Sequence, residues 1–139
     1  MSVTTRLRTL AGRVHAPRKV AAHCDLMCGV YDPAQARIEA ESVVKSAEKY
    51  HASDDPVFRD RAILIKEQRA ELVKHHLSVL WTDYFKPPHI EAYPHLHDLF
   101  WRAIKQAGEA KKSMDPAVGE ELLRLIEEIS EIFWATKKA

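Results

Sequence analysis

The sequence predicts an all-α protein folded as an antiparallel up-down four-helix bundle, and three observations carry that prediction. Ala, Glu, Lys and Leu are abundant while only 4 of 139 residues are Gly, a composition that favours helix. The pair Asp-Pro occurs three times, at Asp32-Pro33, Asp55-Pro56 and Asp115-Pro116, and each pair opens a run of helix formers. Aspartate accepts from the free amides of a first turn, and proline suits its first position. Apolar residues then recur at helical spacing, with no alternating strand pattern and no low-complexity tract.

The first helix is expected from about Pro33 to Tyr50, with Ala36, Ala40, Val43, Ala47 and Tyr50 facing inward. The second opens at Pro56 and stops before Lys86-Pro87-Pro88, because proline lacks the amide proton and bars helix from the residue before it. At about 30 residues it would reach roughly 45 Å. A third fits Pro94 to about Lys111 with Leu96, Leu99, Phe100, Ala103 and Ala107 inward. A fourth fits Pro116 to about Thr136 with Leu122, Leu125, Ile129 and Ile132 or Phe133. Short connections favour antiparallel neighbours. Trp81, Trp101 and Trp134 fit packing or subunit contacts, with the core favoured.

The second helix carries an anomaly. Its seam, counted in steps of four and three, reads Phe58, Ala62, Ile65, Arg69, Leu72, His76 and Val79, so an arginine stands where an apolar residue belongs. A buried guanidinium needs a partner, and Glu39, beside the stripe of the first helix, is a candidate. The alternative is that Arg69 reaches out to solvent along its aliphatic stem.

A chain of this length supports one domain, with 46% hydrophobic residues to build a core without disulfide or metal staples. Few glycines disfavour a phosphate-binding loop, so neither nucleotide nor nucleic acid is an expected partner. No apolar run approaches the roughly 18 to 20 residues that cross a bilayer. The net charge of +1 hides a split: residues 1–22 hold Arg6, Arg8, Arg13, Arg18 and Lys19 and no acid, while all 20 acidic residues lie from Asp25 onward. The basic segment lacks the continuous apolar stretch of a secretory signal. It reads as a removable pro-segment, with a basic transit-like leader as the alternative, cut between Ala22 and His23, where Val20 and Ala22 are the small residues such a cut favours. A cytoplasmic domain of residues 23–139 is expected to remain.

Both cysteines of the chain, Cys24 and Cys28, lie four positions apart next to His23. A redox dithiol has two intervening residues rather than three, a structural zinc site wants four side-chain ligands, and a disulfide or unpaired structural cysteines stay open. Cleavage before His23 changes the donor set. It frees an amine with a pKa of about 7.7 to 8 beside a backbone amide nitrogen, two thiolates and an imidazole. A square-planar nitrogen and sulfur set suits nickel(II) or copper(II) rather than zinc. His75, His76, His89, His95 and His97 are assigned to no metal, since a lone histidine on an apolar stripe is more often a satisfied core residue.

His23-Cys24-Asp25-Leu26, followed by Cys28-Gly29-Val30-Tyr31-Asp32-Pro33, resembles the nickel hook of nickel-containing superoxide dismutases. The likeness continues in AQARIEAES at 34–42, IKEQRAEL at 65–72, KHH at 74–76, DYFKPPH at 83–89, IFW at 132–134 and the terminal TKKA. It implies a homohexamer of four-helix bundles, made with an N-terminal extension that a protease removes, and a hook at about residues 23–31. One nickel ion per subunit would be bound by His23, Cys24 and Cys28. Asp25 and Tyr31 would shape the hook and its substrate pocket, and Glu39 and Arg69 would hydrogen-bond the His23 ring. Tyr84 and Lys86 would lie nearby, with Lys86 attracting the anion. The implied reaction converts two superoxide anions and two protons into dioxygen and hydrogen peroxide, with nickel cycling between its +2 and +3 states.

Met27 departs from the resemblance, which has proline after Leu26. A cis Leu26-Met27 bond would cost on the order of 3 to 4 kcal/mol, so a trans bond is expected there. Two other functions fit the residues alone. One is a carrier that holds nickel or copper at the same site without turnover. The other is a helical interaction protein with incidental cysteines and a basic partner-binding arm.

Overall fold

The computed structural model describes residues 29–138, so Ala22, His23, Cys24, Asp25, Met27 and Cys28 lie outside the described residues. Four long helices and one short one follow in order: α1 (Ala34–His51), α2 (Pro56–Val79), α3 (Pro87–Ala92), α4 (Leu96–Lys112) and α5 (Pro116–Lys138). Each Asp-Pro pair opens a helix as the sequence predicts. The carboxylates of Asp32, Asp55 and Asp115 accept from the backbone amides of Ala34, Val57 and Ala117 at 2.8, 3.0 and 3.0 Å.

α1 packs on α2 and α5, α2 on α4, and α4 on α5, so the long helices close a ring. The inward stripes of α1, α4 and α5 are those expected, apart from the half-buried Tyr50. Gly119 permits the close approach of α5 to α1, since a Cβ there would stand 2.7 Å from Cγ2 of Val44. Trp81 packs against Phe85 and Phe100 at the core margin, whereas Trp101 and Trp134 are exposed. The core assignment therefore holds for the first tryptophan and fails for the other two.

α2 differs from its predicted seam. The buried line is Ala62, Lys66, Ala70, Val73 and Leu77, while Phe58 and Ile65 remain 39% and 40% exposed. The physical reason is that α2 approaches its neighbours through small alanine side chains, which turns the bulkier apolar flank outward. The buried cation of α2 is Lys66, 1% exposed. Its ammonium donates to the carbonyl oxygens of Ala110, of Lys111 at 2.9 Å and of Ser113 at 2.6 Å. These acceptors close the C-terminal turn of α4, where unpaired carbonyls and the helix dipole both favour a cation. Burial pushes the Lys66 ammonium below its ordinary pKa.

Beyond Val79 the second helix does not stop. It widens into a π-helical turn, Leu80–Tyr84, closed by the Phe85 amide donating to the Leu80 carbonyl at 3.4 Å. Such a turn inserts an extra residue and re-aims the side chains that follow it. Lys86 is extended, as the residue before a proline must be. The Pro87-Pro88 pair that ends one helix starts another, the six-residue α3, because proline is tolerated in a first turn.

Candidate functional site

The chain enters the described structure at Gly29, whose φ of +68° is a left-handed conformation that suits glycine. Tyr31 follows, half-buried and packed on the core. Its ring lies 5.7 Å from that of Tyr84, the last residue of the π-helical turn. Tyr84 is held on several sides. Its ring packs 4.4 Å from Phe133 and stacks on His89 at 5.6 Å, and its hydroxyl is 2.7 Å from Oγ1 of Thr136.

These groups border a solvent-open cavity of about 450 Å³, lined by Gly29, Tyr31, Asp83, Tyr84, Lys86, His89 and Lys137. The Lys86 amide donates to Nδ1 of His89 at 3.2 Å, which fixes that ring over the start of α3. Two lysines, Lys86 and Lys137, and one aspartate, Asp83, therefore line one small cavity at the point where the N-terminal segment joins the bundle, with a net positive charge. A positive potential over such a concavity raises the encounter rate of a small anion.

Arg69 and Glu39 pair across α2 and α1, with Nη1 3.3 Å from Oε2. The side chains are 39% and 17% exposed, so the guanidinium is half in solvent and its partner is the more buried of the two. Arg69 thus lies at the edge of the packed face rather than on its seam. The pair does not line the cavity. The structure brings Tyr31, Tyr84 and Lys86 together and joins Glu39 to Arg69, while the predicted metal ligands lie outside the described residues. Among the described residues no group of three or more His, Cys, Asp or Glu side chains is placed to hold a metal ion.

Comparison with known proteins identifies the family. A nickel-containing superoxide dismutase profile matches residues 18–137. The chain belongs to the nickel-containing superoxide dismutases. It is 62% identical over 131 residues to the nickel superoxide dismutase of Streptomyces seoulensis and 60% identical to that of Streptomyces coelicolor, covering 94% of this chain and all of each relative. A native nickel superoxide dismutase crystal structure is 63% identical with a TM-score of 0.83, covering 84% of this chain and all of that one. The fold is therefore the four-helix bundle of the family, the activity is dismutation of superoxide, and the cofactor is nickel. Sequence reasoning missed three cavity residues, Asp83, His89 and Lys137. Asp83 and His89 stand within the DYFKPPH segment and Lys137 within the terminal TKKA already noted, but nothing local in either segment signals that they meet at one cavity.

Proposed function

We propose that superoxide dismutation takes place at a processed N-terminus beginning with His23, where His23, Cys24 and Cys28 hold the nickel ion. The donor set fits the metal: an amine, an amide nitrogen and two thiolates suit a square-planar ion, and thiolates favour its higher oxidation state. Nickel bound there would supply the one-electron couple by which two superoxide anions and two protons become dioxygen and hydrogen peroxide. The observation that supports the residue assignment is the ion pair of Arg69 with Glu39 at 3.3 Å, which offers a carboxylate and a guanidinium as hydrogen-bond partners for the His23 imidazole. Asp25 shapes the hook, Tyr31 and Tyr84 form the wall of the substrate cavity, and the Lys86 ammonium draws the anion in.

Removal of residues 1–22 belongs to the same proposal. The native solved chain is matched in full by 84% of this one, the share that residues 23–139 make up. Residues 1–22 are read as a pro-segment cut by a protease, and the mature domain is assigned to the cytoplasm. Among the described residues no helix is long and apolar enough to cross a membrane.

Superoxide consumption by the processed protein, compared in nickel-loaded, copper-loaded and metal-free forms, tests this reading. Turnover in the nickel form alone is expected, and a nickel form no faster than the metal-free protein would leave only a carrier. Arg69→Ala should lower the rate per bound nickel about 10- to 100-fold while retaining most of the metal. Stability should fall by about 1 kcal/mol, the upper end for an exposed pair, because the Glu39 carboxylate left behind is only 17% exposed. An unchanged rate per nickel would remove Arg69 from the ring-holding role.

The protein is further assigned as a homohexamer. Ile38, Phe58, Leu64, Ile65, Trp101 and Trp134 are large apolar side chains exposed on the single chain, and subunit contacts would remove them from water. Light scattering at micromolar concentration should give six protomer masses. A monomer mass would refute the assembly.

A further inference from the structure

We propose that Lys137, in the last turn of α5, is a positioning residue that locks the exit of the metal-binding segment by holding the chain at Gly29. The inference rests on the assignment of Cys28 as a nickel ligand. Lys137 Nζ donates to the Gly29 carbonyl at 3.2 Å. The same ammonium lies 5.2 Å from the ring centroid of Tyr84 and 5.6 Å from that of Phe133, so two aromatic faces and one carbonyl converge on it. The rings are themselves fixed. Phe133 is fully buried, and Tyr84 is tied to Thr136 through its hydroxyl.

The position of the acceptor gives the contact its meaning. Gly29 directly follows Cys28 in the sequence and turns the chain through a positive φ. A donor on its carbonyl fixes the plane of the peptide that joins Gly29 to Val30, where the chain enters the described structure. Two residues later the Tyr31 ring rests near Tyr84. The exit is therefore held twice on one aromatic platform, once by its backbone and once by a side chain. The backbone hold joins residues 108 positions apart in sequence. A charge-assisted hydrogen bond with cation–π support is stronger than either contact alone. Its loss would free the exit turn without altering any metal ligand.

The experiment follows nickel transfer from the processed, loaded protein to a chromogenic chelator, together with the nickel–thiolate absorption bands and the melting temperature of the metal-free form. Lys137→Met should release nickel about tenfold faster, which corresponds to about 1.4 kcal/mol, and should shift the absorption bands. Lys137→Arg should restore the parent rate to within about twofold, and Lys138→Met, which removes a neighbouring charge, should behave as the parent. Release at the parent rate in Lys137→Met would overturn the proposal, as would equal acceleration in Lys138→Met. Faster release with a parallel fall in the metal-free melting temperature would assign Lys137 to helix packing and overturn it too. A parent protein that retains no nickel would instead sink the ligand assignment on which the proposal rests.

Discussion

A chain that still carries residues 1–22 is expected to consume superoxide at the background rate, whatever nickel is supplied. With the segment attached, the nitrogen of His23 is part of a peptide bond. It then offers an amide in place of an amine, and the planar donor set loses one of its four positions. Loss of an outer hydrogen-bond partner of a metal ligand typically costs 10- to 100-fold, and loss of a ligand should cost more. The defect should not depend on the length of the extension. A single Ala22 left before His23 should be as damaging as the whole segment, because in both cases the His23 nitrogen is an amide and the free amine lies at least one residue away. Activity measurements on three chains, beginning at Met1, Ala22 and His23, check this, with mass spectrometry of the active species as the companion test. Full activity in a chain beginning at Met1 would overturn the processed-terminus reading.

The second large effect is expected at a residue remote from the chemistry. Lys66→Met keeps most of the side-chain volume but removes the donor that serves Ala110, Lys111 and Ser113. An unsatisfied buried acceptor costs about 1 to 3 kcal/mol, and water can reach some of these carbonyls at the end of α4. A loss of about 3 kcal/mol follows, equivalent to a fall in Tm on the order of 10 °C for a domain of this size. Thermal unfolding at matched protomer concentration measures it, since assembly makes Tm concentration-dependent. A variant within about 1 kcal/mol of the parent would mean that water replaces the ammonium without penalty. The contrast with Arg69 is informative. Both are cations on one face of α2, yet Arg69→Ala should alter turnover and cost little stability, while Lys66→Met should do the reverse.

That contrast also marks the boundary between local and non-local information. The helices were legible because their signals are short-range: an aspartate two residues before the amide it accepts from, a proline in a first turn, and apolar residues three and four apart. The hook motif was legible for a similar reason, since two cysteines, a histidine and the chain order around them lie within one short segment. On α2 the same periodicity was ambiguous. Phe58, Ile65, Leu72 and Val79 form one apolar line and Ala62, Ala70, Val73 and Leu77 another. Hydrophobicity favours the bulkier line, but close helix approach selected the smaller one, and with it Lys66 in place of Arg69 as the buried cation.

The sequence by itself determined the four long helices and most of their boundaries, the charge split between residues 1–22 and the remainder, and the short segment in which a histidine and both cysteines meet. Tertiary structure alone decided which face of α2 turns inward and where the Lys66 ammonium finds its acceptors, 44 to 47 residues away. It also decided that a π-helical turn sets Tyr84 beside Tyr31 and that Lys137 closes over Gly29. The physical reason is common to all four. A helix fixes the directions of its own side chains, but the partner that each direction meets depends on the rotation and spacing of neighbouring helices. Those are set by packing volume summed over the whole core, which no local pattern encodes.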